Sequence, residues 1–155
     1  MQAWIESARK VVALRTRVAR AVLWPIDSLA FAIYWTVARV RDRSQVASVL
    51  HLGIVSHKPF MLSRAMRTAG MKSEYLAVNV PASGSILNVG WDYVLPAEVA
   101  PWRRRLLESY MLWTVLAKYD VIHSHFRTFL SDTGWELKYL RRLGKVLVFH
   151  ARGCD

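Results

Sequence analysis

Apolar and polar residues follow two different spacings along this chain, and the change comes near residue 45. Before that point apolar residues recur every three to four positions, as on one side of an amphipathic helix: Val11, Leu14, Val18 and Val22. Residues 21–40 form a stretch as long as a membrane-spanning helix, but they include Pro25 and Asp27. The spacing therefore predicts N-terminal helices within a basic, apolar segment of residues 1–45.

From residue 46 onward, short apolar runs alternate with longer amphipathic stretches. The apolar runs predict strands at 46–54, 74–80, 93–95, 119–125 and 145–150. Helices are predicted between them at 60–69, 97–118 and 133–143, with Asp132 as the N-cap of the last one. Strands separated by helices favour a parallel sheet, and strands this apolar are typical of a sheet covered on both faces. Residues 46–155 are therefore predicted to form an α/β domain with a Rossmann-like, doubly wound parallel sheet.

The charge of the chain changes the interpretation of its first segment. The formal net charge is +11, and residues 1–45 contain eight Lys or Arg against three Asp or Glu, a net charge of +5. A protein this basic attracts anionic partners such as phospholipid surfaces. Three interpretations stay open: an interfacial helix on an anionic membrane, a membrane span, or helices packed on the protein's own core or on a partner. The interfacial helix is favoured, because Asp27 would be costly at the centre of a bilayer.

The cysteine content of the chain bears on its cellular location, and the distribution of its basic residues argues against a nucleic-acid partner. Cys154 is the single cysteine, so the fold cannot depend on an internal disulfide. We expect a cytoplasmic protein that is peripheral or monotopic at the inner face of the cell membrane. Arg103–Arg105 are expected to form a solvated or lipid-facing patch. The basic residues are spread out and form no recognised nucleic-acid-binding module, so no nucleic-acid partner is expected.

Polar residues collect after the predicted strands. His57 and Lys58 come after the first strand, and Ser85 comes after the second. His125 lies at the end of the fourth strand, and the end of the last strand has His150, Arg152, Gly153 and Asp155. Ligands of open α/β sheets bind at the carboxyl ends of the strands, so we expect a groove there. His57 and Lys58 would contact a phosphate or lie in a solvated loop. His123 and His125 share one face of their strand, but no carboxylate or cysteine lies nearby at metal-ligand spacing, so no metal is expected.

Common motifs of nucleotide-binding and hydrolytic α/β enzymes are absent. There is no GxxxxGK[ST] and no GxGxxG after the first strand, which argues against a P-loop NTPase and an ordinary dinucleotide-binding protein. There is also no GxSxG nucleophile elbow.

Three segments of the chain resemble a known family. YDVIHSHF, at Tyr119–Phe126, resembles the D-[IV]-[IV]-H-x-H strand of GT-B-fold glycosyltransferases with a family-4-like N-terminal domain. VLVFHARGCD, at Val146–Asp155, looks like the next strand of that family and its H-x-x-G-x-D turn. Val49–Gly70 is similar to the first βα unit of the family, so the resemblance covers residues 46–155. The loop VSHKPF departs from the pattern, because it lacks the Gly-rich turn of many members.

The resemblance implies an enzyme that transfers a sugar from a nucleotide-sugar donor to a polysaccharide or glycolipid acceptor at the membrane. It implies no cofactor besides that donor, and many members need no metal. In the family the N-terminal domain mainly holds the acceptor. His125 would line the interdomain cleft, His150 and Gly153 would face the donor phosphates and the transferred sugar, and Asp155 would support that turn. The expected catalytic residues are thus His125 and His150, and the expected substrate-binding residues are His57, Lys58, Ser85, Arg152, Gly153 and Asp155.

The acidic donor-binding motif of the family has no counterpart in the stretch that the resemblance covers. We therefore expect part of such an enzyme, inactive alone, whose partners are an anionic membrane surface, a sugar or glycolipid acceptor and a missing C-terminal half. The alternative is a non-catalytic, membrane-associated α/β interaction module.

Overall fold

The computed structural model describes residues 2–40, 47–54, 57–81, 90–126 and 129–150. Within these ranges one sheet contains five parallel strands in the spatial order β3-β2-β1-β4-β5. The strands are β1 (Val49–Gly53), β2 (Ser73–Val80), β3 (Tyr93–Pro96), β4 (Val121–His125) and β5 (Val146–His150). Each strand overlaps a predicted one, and the α/β fold with a Rossmann-like parallel sheet is confirmed.

Four α-helices and one 3-10 turn accompany the sheet in the described part of the chain. They are α1 (Gln2–Val40), α2 (His57–Thr68), α3 (Pro101–Thr114), α4 (Leu137–Arg142) and the 3-10 turn Leu116–Lys118. α1 precedes the first strand as predicted. It is one continuous helix that runs through Pro25, and not a pair of helices.

The two faces of the sheet are covered by different helices. Successive residues of a strand point to opposite faces, so every second side chain packs on the same side. On one face Leu52 and Leu76, which are register partners, pack in a buried cluster with Leu112 of α3. On the other face Tyr75 packs against Phe60 of α2. Helices on both faces are what the doubly wound prediction requires.

Asp27 joins α1 to α3. Its buried carboxylate accepts hydrogen bonds from Nη2 of Arg105 at 2.9 Å, from Nε1 of Trp113 at 2.8 Å and from the hydroxyl of Ser109. Beside this network the hydroxyl of Tyr34 donates to the carbonyl of Trp113. A buried carboxylate persists only when it is paired and hydrogen-bonded, and here α3 supplies every one of these donors. Asp27, the residue that argued against a membrane span, is thus part of a polar contact between α1 and α3.

The prediction that Arg103–Arg105 form a surface patch is wrong for two of the three residues. Arg103 is exposed. Arg104 donates to the carbonyl of Pro96 at 2.8 Å, and the guanidinium of Arg105 lies 3.5 Å from the centroid of the Trp135 ring. Consecutive residues of a helix point in different directions, so a run of three arginines cannot all face solvent on a helix that is packed along one side.

The side of α1 that faces away from the sheet is apolar and exposed. The α1 stripe consists of aliphatic residues that are 47–65% exposed: Val11, Leu14, Val18, Val22, Ile26, Leu29, Ile33 and Val37. Their spacing of three or four residues places them on one side of the helix, and at 1.5 Å per residue the stripe is about 39 Å long. Among the described residues no helix combines the length and the apolarity that crossing a membrane requires.

α4 begins at Leu137, later than predicted, and Asp132 is not its N-cap. The buried carboxylate of Glu136 accepts hydrogen bonds from the backbone N–H of Leu130 at 2.7 Å and of Ser131 at 3.2 Å, and from the hydroxyl of Ser131 at 2.5 Å. Because this carboxylate satisfies the amides of the loop, the chain stays in a turn conformation where a helix was expected.

Candidate functional site

The register of the sheet brings four histidines to one face. His51 of β1 is the register partner of His123 in β4, and His125 at the end of β4 is the partner of His150 at the end of β5. Paired residues of neighbouring parallel strands point to the same face, and so do residues two apart on one strand. The imidazoles therefore lie side by side across β1, β4 and β5, on the face that carries α2.

Three of these imidazoles, those of His51, His123 and His125, form what we call the histidine cluster. Nδ1 of His51 lies 3.1 Å from Nε2 of His125. The ring centroids of His123 and His125 are 4.1 Å apart, and one ring nitrogen from each of the three residues lies within 4.8 Å of the others. His150 borders the cluster, with its ring centroid 5.7 Å from that of His125 and 6.0 Å from that of His123.

Burial keeps the histidine cluster neutral. Burial, followed by the nearby rings of His123 and His125, lowers the pKa of His51 to about 3. Burial, followed by His123 and His150, lowers the pKa of His125 to about 4. The pKa of His123 is lowered as well, first by burial and then by His150. At neutral pH three uncharged imidazoles face one another, and each has one N–H group and one bare nitrogen.

The hydrogen-bonding capacity of the cluster is partly unused. Nε2 of His51 lies 3.3 Å from the sulfur of Met66, which is a weak acceptor, so the tautomer with its proton on Nε2 fits this contact. Nε2 of His125 then donates to the bare Nδ1 of His51. Nε2 of His123 is buried and has no hydrogen-bond partner within the described ranges. Native structures rarely keep such an atom without a compensating ion, water or function.

The backbone around the cluster is closely packed. Gly53 ends β1, and a Cβ atom at this position would lie 3.1 Å from Cγ of Pro59 and 3.6 Å from Cβ of His125. Phe126 follows His125 with a φ of +60°, a left-handed conformation that bulky residues rarely adopt. Its N–H donates to the carbonyl of His150 at 3.0 Å, which holds it in place. Backbone strain of this kind clusters at functional sites.

The sequence-predicted site residues fall into three groups. His125 and His150, the predicted catalytic pair, lie together at the carboxyl ends of β4 and β5. His57 is the first residue of α2, and Lys58 follows it with an exposed side chain. The remaining predicted residues lie outside the described ranges: Ser85, Arg152, Gly153 and Asp155.

His51 was not among the residues predicted for the site. It lies within an apolar run and is fully buried in a central strand of the sheet. A histidine at such a position needs a polar partner, because burying an imidazole without one is costly. The neighbouring H-x-H strand contains the candidates, so a histidine inside an apolar strand was the signal that could have identified it.

The fold and the cluster define a class of protein: a parallel α/β protein of Rossmann-like type whose histidine cluster reaches the carboxyl end of β4. Comparison with known proteins identifies no family within this class, because no family model, no curated protein and no solved structure matches the chain.

Proposed function

We propose that this chain is the acceptor-side domain of a membrane-associated glycosyltransferase of the GT-B type. The observation that carries the proposal is the position of the two motifs that resemble this family. His125 of the H-x-H strand and His150 of the following strand are register partners, and the hydrogen bond from Phe126 to His150 joins their carboxyl ends. This end of an open parallel sheet is where ligands bind.

The two histidines differ in burial, and this difference supports different roles. His125 is buried and neutral, so it suits hydrogen bonding to an acceptor hydroxyl and cannot supply positive charge. His150 is exposed. When the acceptor hydroxyl bonds to the anomeric carbon and the diphosphate leaves, the hydroxyl proton needs a base, for which His150 is the candidate. The leaving diphosphate needs cations, and Lys58, exposed on the first turn of α2, is the described candidate.

The α1 stripe supports the membrane part of the proposal. The opposite side of α1 is fixed to α3 by Asp27, so the stripe faces away from the sheet. The net charge of +5 on residues 1–45 complements an anionic lipid surface. We therefore propose that α1 lies in the plane of the membrane at its cytoplasmic face.

Vesicle flotation tests the role of the stripe. Leu29 and Ile33 are 65% and 55% exposed, so replacing both with Gln removes apolar surface without opening the core. Full burial of one such side chain is worth about 1.5–3 kcal/mol, and roughly half of that is gained by each residue on entering the lipid boundary. The double variant should therefore bind phosphatidylglycerol-containing vesicles about tenfold or more weakly.

A matched pair on α2 provides the control. Met61 and Leu62 are 60% and 39% exposed, and Met61→Gln with Leu62→Gln removes similar apolar surface from another helix. This control variant should bind vesicles as the unaltered protein does. Equal binding by both double variants would contradict the membrane part of the proposal, and equal binding to pure phosphatidylcholine vesicles would contradict the electrostatic contribution.

A transfer assay tests the sugar-transfer part. The coding DNA downstream of this segment is first translated, and an α/β domain with the acidic donor motif is expected there. The chain joined to that domain is then incubated with radiolabelled UDP-glucose, UDP-galactose or GDP-mannose and a membrane lipid extract. Label should enter the lipid fraction, and His150→Ala should remove most of the turnover while Met61→Gln leaves it unchanged. No transfer from any donor, or near-normal turnover by the His150 variant, would contradict the assignment.

The second candidate is a non-catalytic, membrane-associated α/β interaction module. One observation favours it: β5, at one edge of the sheet, exposes the apolar side chains of Val146, Val148 and Phe149, which suit contact with a partner protein. Such a module would bind vesicles through the α1 stripe in the same way. It would show no transfer in the assay above, so that assay separates the two candidates.

A further inference from the structure

We infer that the histidine cluster, His51, His123 and His125, binds a divalent transition-metal ion, with Zn²⁺ as the expected occupant. The inference goes beyond the proposed sugar transfer and does not depend on it. It rests on the arrangement of the ring nitrogens, on the strands that hold them and on the unpartnered Nε2 of His123.

The spacing of the ring nitrogens is close to that of a metal site. With metal–nitrogen bonds of about 2.0–2.1 Å in a tetrahedral site, two ligand nitrogens lie roughly 3.3–3.4 Å apart. Nδ1 of His51 and Nε2 of His125 are 3.1 Å apart. No two of the candidate ligand atoms of the cluster are more than 4.8 Å apart. Metal binding would have to close the remaining difference by rotation of the side chains.

The strands hold the three side chains in this arrangement. β1 and β4 are neighbours in the interior of the sheet, and their register places His51 directly beside His123. His125 is two residues further along β4 and therefore on the same face. Ligands placed on paired strands keep their geometry better than ligands on loops, so the site is preorganised.

The contacts of the individual rings favour a ligand at the centre of the cluster over a purely structural role. The contact between Nε2 of His51 and the sulfur of Met66 fixes the outer nitrogen of that ring and directs Nδ1 inward. A single hydrogen bond between His51 and His125 leaves Nε2 of His123 buried without a partner within the described ranges. A metal ion bound by all three rings would satisfy the inner nitrogens together.

The chemistry of the ligands indicates which ions fit. The candidate set contains three imidazoles and no carboxylate or thiolate. Imidazole suits Zn²⁺, Cu²⁺, Ni²⁺ and Co²⁺, whereas Mg²⁺ and Ca²⁺ require oxygen ligands. Three protein ligands leave one tetrahedral position free for water or an anion, as in catalytic zinc sites. His150 borders the cluster but is not one of the three candidate ligands.

Metal titration tests the inference. The protein is purified without a polyhistidine tag, stripped with a chelator and titrated with Zn²⁺ by calorimetry and with Co²⁺ by visible absorption. One equivalent should bind, Co²⁺ should show the intense bands of a four-coordinate ion, and Zn²⁺ should raise the melting temperature. Failure to bind Zn²⁺ or Co²⁺ at micromolar concentrations would overturn the inference, and this outcome is independent of any transferase assay.

Variants locate the site. His123→Asn removes one ligand from a half-buried position and should weaken Zn²⁺ binding by about a hundredfold or more. His150→Gln removes a neighbouring imidazole outside the set and should retain one equivalent, with affinity changed less than about tenfold. Circular dichroism checks that each variant is folded, and His125→Asn replaces His123→Asn if the latter does not fold. Unchanged affinity in the ligand variant would show that the metal binds elsewhere and would overturn the assignment.

Discussion

Replacing Asp27 with alanine tests how strongly α1 is attached to the rest of the protein. The substitution removes the carboxylate that accepts hydrogen bonds from Arg105, Ser109 and Trp113. It leaves the largely buried guanidinium of Arg105 without its anionic partner. The change therefore acts on the contact between α1 and α3 and leaves the sheet intact.

The expected cost follows from the burial of this network. Removing one partner of a buried ion pair typically costs about 3–5 kcal/mol, because the other charge stays buried and unpaired. A domain of this size has a total stability of roughly 5–15 kcal/mol, so the loss is a large fraction of it. A loss of this size lowers the melting temperature of a domain of this length by roughly 10 °C. Asp27→Asn should also be costly, because it removes the negative charge that pairs with Arg105 and places an amide NH2 group against at least one of the three donors.

Urea denaturation monitored by tryptophan fluorescence measures this loss, and limited proteolysis shows where it acts. Cleavage of the variant should begin within α1 while the sheet stays protected. Glu98→Gln is the charge-matched control, since Glu98 is exposed and its replacement should change stability by less than about 0.5 kcal/mol. If Asp27→Ala costs under about 1 kcal/mol and α1 stays resistant, the network does not hold the helix and the reasoning is refuted.

Three further predictions concern the site and the loop before α4. The pKa values of His51 and His125 in the folded protein, about 3 and about 4, lie below 6.5, so the unfolded chain takes up protons first as the pH falls. The metal-free protein should therefore lose roughly 2 kcal/mol per residue between pH 8 and pH 5, and an equal urea midpoint at both pH values would contradict this. Gly53→Ala places a Cβ atom 3.1 Å from the ring of Pro59 and should lower the free energy of unfolding by about 1–3 kcal/mol. An unchanged melting temperature would contradict this prediction. Glu136→Ala removes the acceptor of the Leu130 and Ser131 backbone N–H groups and should cost about 1–3 kcal/mol. Hydrogen exchange at the Leu130 amide should accelerate in this variant, and unchanged protection would show that the carboxylate does not hold the loop.

Local patterns were sufficient for the elements of the sheet but not for every boundary. Apolar runs identified all five described strands. β1 and β2 are apolar because they bury most of their side chains, whereas β5 is apolar although most of its side chains are exposed. The start of α4 was predicted too early, because the pattern of Asp132 and the residues after it resembles a capped helix. The carboxylate of Glu136 instead satisfies the amides of Leu130 and Ser131, and that competition depends on how the loop packs.

Only part of the candidate site was predicted, because the rest depends on contacts between distant segments. His125 and His150 were expected at strand ends, and their strands lie side by side as neighbouring parallel strands must. The contribution of His51 depends on the register between β1 and β4, which pairs it with His123 across more than seventy residues of sequence. No spacing within either segment encodes that register.

The amino-acid sequence by itself determined the class of fold, the position of each described strand and the placement of His125 and His150 at strand ends, because burial and helical or strand spacing act over a few residues. The tertiary structure alone decided that Asp27 joins α1 to α3, that the opposite side of α1 stays exposed, and that three imidazoles meet on one face. Each of these features depends on which distant segments pack together, and the packing is determined by the free energy of the whole fold.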